Sequence, residues 1–103
     1  MLLPILNEFR EGLKRIYGDR LVGLVLFGSQ ARNEARPDSD IDVMVILKGP
    51  VKTGDEIRRN SSFTSRICLE HDVVLSCVYV SDEAYRESQT PLMLNVHREG
   101  VAI

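Results

Sequence analysis

Two acids separated by one residue run straight into an unbroken apolar stretch: Asp40-Ile41-Asp42 leads into Val43-Met44-Val45-Ile46-Leu47, which Gly49-Pro50 closes. Such a stretch suits a strand covered on both faces, so the chain has to build layers around it. Successive strand side chains alternate between faces, which puts Asp40 and Asp42 on the same one, about 6.6 Å apart along the strand. Carboxylates held side by side repel unless a cation lies between them, and a hard cation such as Mg2+ takes oxygen ligands. With 103 residues, 44% of them hydrophobic, the chain has the material for one small core, and a single domain over residues 1–103 is expected. At a stability margin of ~5–10 kcal/mol, acids clustered beside that core need a functional reason.

The covering layers are legible on either side of the strand. Leu2, Leu6, Phe9, Leu13 and Ile16 recur at helical spacing and predict an amphipathic helix ending near Gly18. Residues 21–27, Leu-Val-Gly-Leu-Val-Leu-Phe, read as a strand buried on both faces that stops at Gly28. A short helix is expected from Ser29, a good N-cap, to about Ala35, and Arg36-Pro37-Asp38-Ser39 reads as a turn. Thr53 to Leu69 predicts a helix with Ile57, Ile67, Phe63 and Cys68 inward. Asp72 to Val80 predicts a third strand, and Ser81 to Arg86 a short helix. Pro91 to Glu99 fits a last helix before Gly100, and Val101-Ala102-Ile103 suits an edge strand. This alternation predicts an α/β fold with a small mixed sheet of three to four strands flanked by helices.

Charge and cysteine usage remove several function classes. Thirteen Lys and Arg against fifteen Asp and Glu give a net charge of −2, which argues against bulk electrostatic binding of nucleic acid. No apolar run is long enough to span a membrane and the opening segment is broken by Asn7, Glu8, Arg10 and Glu11, so a cytoplasmic protein is expected. Cys68 and Cys77 sit in apolar runs as expected for reduced core thiols, and His71 and His97 are too few and scattered for a zinc site.

The candidate site gathers around the paired acids. Asp72 opens the predicted third strand as Asp40 and Asp42 open the second, and equivalent ends of adjacent strands lie close together. Three carboxylates can hold two metal ions ~3.5–4 Å apart across a triphosphate. Gly28 and Ser29 supply an opposite wall: a glycine admits close approach of phosphate, and a helix start presents free N–H groups. Arg32 either adds positive charge towards the phosphates or pairs with Glu34 or Asp38.

Gly28-Ser29-Gln30-Ala31-Arg32, then Ser39-Asp40-Ile41-Asp42-Val43, then Asp72-Val73-Val74 resembles the minimal (MNT-type) nucleotidyltransferases of the DNA polymerase beta superfamily. The likeness spans Phe27 to about Ser76. Asn33 stands where relatives often have glycine. The resemblance implies the nucleotidyltransferase fold, with Gly28, Ser29 and Arg32 at the nucleotide and Asp40, Asp42 and Asp72 as catalytic metal ligands. It implies Mg2+, two ions, and ATP or another NTP as substrate, with AMP passing to a hydroxyl. Proteins of this type are similar to the antitoxins of HEPN/MNT toxin-antitoxin modules, and some are described as moving AMP onto a tyrosine of the helical HEPN partner. The 103 residues leave no room for the helical acceptor domain of related enzymes, so a partner, or a second copy in a homo-oligomer, is expected to bring the acceptor.

Each feature also has a plainer explanation. Gly28-Ser29 alone is an ordinary strand-to-helix turn, and Asp-x-Asp alone can be a solvated strand end; the wholly apolar continuation of the strand is what favours a site. His71, Arg58, Arg59 and Arg66 read as solvated surface. Leu92, Met93, Leu94 and Val96 read as core, although three adjacent apolar residues cover more than one helix face and leave part for an interface. The alternative to an enzyme is a non-catalytic antitoxin of the same fold that neutralises a partner by binding. Small-molecule modification is disfavoured because no second domain shapes an acceptor pocket.

Overall fold

The computed structural model describes residues 2–28, 31 and 40–103. Ser29, Arg32, the helix expected over 29–35 and the turn expected over 36–39 lie outside the described residues. The elements in chain order are α1 (Leu2–Tyr17), a 3-10 turn (Gly18–Arg20), β1 (Leu21–Phe27), β2 (Ile41–Leu47), α2 (Thr53–His71), β3 (Leu75–Ser81), α3 (Asp82–Glu87), α4 (Pro91–Glu99) and β4 (Val101–Ala102). The strands form one mixed sheet in the order β3-β2-β1-β4. β1 runs antiparallel to β2 and to β4, while β2 and β3 are parallel.

The paired acids lead into the central strand of this sheet. Val43, Val45 and Leu47 turn to the face under α1 and α2, where they meet Leu6, Phe9, Leu13 and Ile67. Met44 and Ile46 turn to the other face and meet Met93 and Val96 of α4. Alternation along β2 therefore feeds both layers, and Asp42 faces the α4 side with Met44 and Ile46.

Two helix faces differ from the predicted ones. On α1, Ile5 joins Leu6, Phe9 and Leu13 in the core, whereas Ile16 is exposed. Gly12 completes the stripe by having no side chain: the Phe63 ring of α2 occupies the space a Cβ would take, and it stacks on Phe9 with centroids 5.6 Å apart. On α2, Ile57 is exposed, and Glu56, Asn60 and Ile67 form the buried face at helical spacing. Glu56 and the Asn60 amide nitrogen find partners across the chain, while Asn60 Oδ1 is buried without a hydrogen-bond partner among the described residues. Glu56 accepts from Tyr17 Oη at 2.6 Å and pairs with Arg59 at 3.2 Å and Arg20 at 3.8 Å, and Asn60 Nδ2 donates to Tyr17 Oη at 2.7 Å. Arg20 also donates to the carbonyls of Lys48 and Pro50, which closes the far end of the sheet.

β1 is buried only at Leu24-Val25-Leu26, not along its whole length. Its pairing with β2 slips between Leu21 and Gly23, so Val22 bulges out and is 51% exposed. The C-terminal elements follow their sequence signals. Ser81 Oγ accepts from Ala84 N at the start of α3, and Thr90 Oγ1 accepts from Met93 N at the start of α4. Ile103 N–H donates to the Leu24 carbonyl, continuing the β4 edge.

Candidate active site at the head of the parallel strand pair

β2 and β3 start at the same edge of the sheet where antiparallel β1 ends, so three chain segments converge there. Phe27, the last residue of β1, pairs with Asp42. Gly28 follows with φ of +73°, left-handed backbone that an L side chain adopts only with strain. A Cβ on Gly28 would also run into Oδ2 of Asp42. The glycine is thus required twice, once by its backbone and once by the half-buried carboxylate lying over it. Asp40 is exposed just ahead of β2. Ile41 N–H donates to the Val74 carbonyl at 2.8 Å, which ties the start of β2 to the segment entering β3.

Asp72 is placed differently from the predicted strand start. α2 runs to His71, and Asp72 is its C-cap, left-handed at φ 53° and ψ 50°, three residues before β3 begins at Leu75. An aspartate tolerates that conformation because its short polar side chain bonds locally, and it lets the chain reverse from helix into strand. Its carboxylate is exposed at the same end of the sheet as Asp40. The residue that pairs with Asp42 across the parallel ladder is Ser76, also exposed. Sequence reading passed over Ser76 because only the register identifies it.

Asp40 and Asp42 offer oxygen donors side by side, and the missing Cβ of Gly28 leaves space over the Asp42 carboxylate. That donor set fits a hard divalent cation. Between α2 and the open edge of β3 lies a separate cleft of about 370 Å3 lined by Ser61, Thr64, Ser65, Ser76, Cys77 and Tyr79. Burial, with Cys68 second, pushes the Cys77 thiol up to about 12, and burial likewise raises the Tyr79 phenol, so both stay protonated at neutral pH. His71 bonds Glu8 at 2.7 Å, and Arg66 reaches Glu70 at 3.3 Å and Glu8 at 4.0 Å, an ion-pair group that ties α1 to α2 immediately before Asp72. Cys68 and Cys77 are free thiols. No helix among the described residues is long and apolar enough to cross a membrane.

Comparison with known proteins shows the family and the fold. Residues 6–89 match the nucleotidyltransferase domain family. Two proteins of Methanocaldococcus jannaschii, each named "putative protein adenylyltransferase", are similar in sequence. One is 32% identical over 73% of this chain and 75% of its own length, and the other 48% identical over 77% of this chain and 48% of its own. A nucleotidyltransferase crystal structure from Sulfolobus solfataricus superposes with a TM-score of 0.70 at 19% identity, covering 98% of this chain and 78% of that one. A toxin-antitoxin crystallised with AMP-PNP gives 0.63 at 20% identity, over 90% of this chain and 68% of that one. A tri-AMPylated HEPN toxin in complex with MNT antitoxin, from Shewanella oneidensis, gives 0.62 at 20% identity, over 99% and 71%. With an Asp-x-Asp strand packed against a left-handed glycine and a family match over most of its length, the chain belongs to the nucleotidyltransferase domain family.

Proposed function

We propose that the protein transfers the nucleoside monophosphate of an NTP, AMP from ATP in the first instance, to a hydroxyl on a partner protein of the helical HEPN type. The observation that carries this reading is the Asp42 carboxylate held against a glycine that cannot be replaced without collision. Asp40 and Asp42 hold Mg2+, which when bound offsets the negative charge gathering on the triphosphate. Gly28, with Ser29 and Arg32 from the sequence motif, receives the phosphates. The acceptor oxygen bonds to the α-phosphorus, the bond from that phosphorus to the bridging oxygen breaks, and pyrophosphate leaves. Asp72, exposed on the side from which β3 enters, assists removal of the acceptor proton. The names of the relatives and the complexes of the structural neighbours support adenylylation and a toxin partner.

Titration of ATP into the purified protein by calorimetry tests the nucleotide site without knowledge of the acceptor. Binding is expected with Mg2+, and its loss both in EDTA and in the Asp40→Asn/Asp42→Asn variant. Equal binding by the variant overturns the assignment. A second reading, an antitoxin that neutralises its partner by contact alone, draws on Leu92 and Leu94 of α4, which are 43% and 54% exposed. Rescue of cells carrying the partner by Asp40→Ala as fully as by the native chain supports that reading.

A further inference from the structure

Holding two cations across a triphosphate takes more charged oxygen donors than Asp40 and Asp42 supply, and the strand beside them is the nearest place in the sheet for another. The register of β2 with β3 says which residues stand there. Asp42 pairs with Ser76, and carrying the register back two residues, past Ile41 and Leu75, sets Val74 beside Asp40, in keeping with the Ile41 N–H to Val74 carbonyl bond. Val73, Leu75, Cys77 and Tyr79 pack on the α1 and α2 side of the sheet. Residues 74 and 76 therefore face the other side, with Asp42. Both are exposed, and neither is an acid. Asp72 lies two residues before Val74 and four before Ser76, roughly 7 and 13 Å of extended chain, and its own backbone is turned into a left-handed cap.

We infer that the described residues of this chain hold one divalent cation with the nucleotide and lack, among themselves, the ligand for a second, the vacant ligand positions in the sheet being Ser76 and, beside it, Val74. This rests on the nucleotide-binding reading above. A serine hydroxyl is a neutral donor and brings no charge to balance a second ion, while valine brings no donor. Asp72 then acts on the acceptor proton without touching metal, and the chain binds nucleotide well but transfers it slowly.

The test is a count of Mn2+ bound per chain by electron paramagnetic resonance, at saturating concentration of a non-hydrolysable ATP analogue. The native chain and Asp72→Asn are expected to bind one ion. Ser76→Asp or Val74→Asp is expected to bind two, and that variant to release pyrophosphate from ATP faster than the native chain. All these positions are exposed, so folding is not at stake. Two ions on the native chain overturn the inference, and a drop to one in Asp72→Asn would then make Asp72 the missing ligand. Failure of both added acids to gain an ion also overturns it. If the native chain binds no nucleotide in the calorimetric titration, the nucleotide-binding reading itself fails and this inference goes with it, an outcome read from that titration and separate from the ion count.

Discussion

The two faces of the sheet are built to different depths. Under α1 and α2, Phe9, Leu13, Leu24, Val43, Val45, Leu47 and Ile67 are all sealed from solvent, with two long helices locked to each other through Gly12 and Phe63. Under α4, the core consists of Val25, Met44, Ile46, Met93 and Val96, covered by nine helical residues. The acids belong to the shallow side: Asp42 is in line with Met44 and Ile46, and it is only half-buried where those two are sealed. A carboxylate pair loses most by desolvation, so it survives where burial runs out, while the deep face supplies the stability that repulsion between the acids removes.

Truncation on each face measures that difference most directly. Phe9→Ala removes a fully buried ring and its stacking on Phe63, and is expected to cost about 3–5 kcal/mol in urea denaturation. Met93→Ala, on a short helix that can settle inward, is expected near the lower bound of about 2 kcal/mol for such changes. Equal costs at the two positions break the comparison.

Gly28→Ala acts at the junction between core and site. It forces a Cβ onto left-handed backbone at a cost of about 1–2 kcal/mol, and pushes the Asp42 carboxylate aside. Loss of nucleotide binding is expected along with that modest loss of stability. Asp42→Asn separates the two effects: binding is lost while the thermal midpoint holds or rises, because a repulsive charge has gone. A lower midpoint in Asp42→Asn shows the carboxylate to be part of the scaffold.

Much of this was legible in the sequence for a physical reason that also explains the misses. The Val43–Leu47 run fixed a central strand because only a position covered on both faces tolerates it, and the cap at Ser81 followed from local hydrogen bonding. Glu56 and Asn60 went unread as part of the inward face of α2, since periodicity counts apolar residues and cannot see that Tyr17, Arg20 and Arg59 come to meet them. Asp72 read as a strand start because helix end and strand start are three residues apart, and the left-handed cap between them leaves little trace in residue type. Ser76 was invisible because register is a relation between strands, not a property of either.

High pH probes the deep face through its own titrating groups. Burial, then the bond to Glu56, pushes the Tyr17 phenol up to about 12, and burial carries Cys77 to about 12 and Tyr79 upward as well. In the unfolded chain a tyrosine ionises near pH ~10 and a cysteine near ~8.5. Above those values the unfolded state holds fewer protons than the folded one, so stability falls as pH rises. The thermal midpoint is expected to drop from about pH 9 to about pH 12, and Tyr17→Phe to flatten part of that drop. A midpoint level through this range places these groups in contact with solvent.

The smallest effect is expected at the outer surface of α4. Leu94 is half exposed and packs on nothing that the core depends on, so Leu94→Ser should change stability by no more than about 0.5 kcal/mol. Its neighbour Met93 is 4% exposed, so one residue step around the helix separates a core position from a solvent one. If Leu94→Ser leaves the fold and nucleotide binding intact but weakens capture of a helical partner, the shallow face serves two purposes, a nucleotide edge at Asp42 and a contact surface on α4. If capture is unchanged as well, the partner approaches over β3 and Asp72 instead, and Leu92 and Leu94 are surface residues of no special consequence.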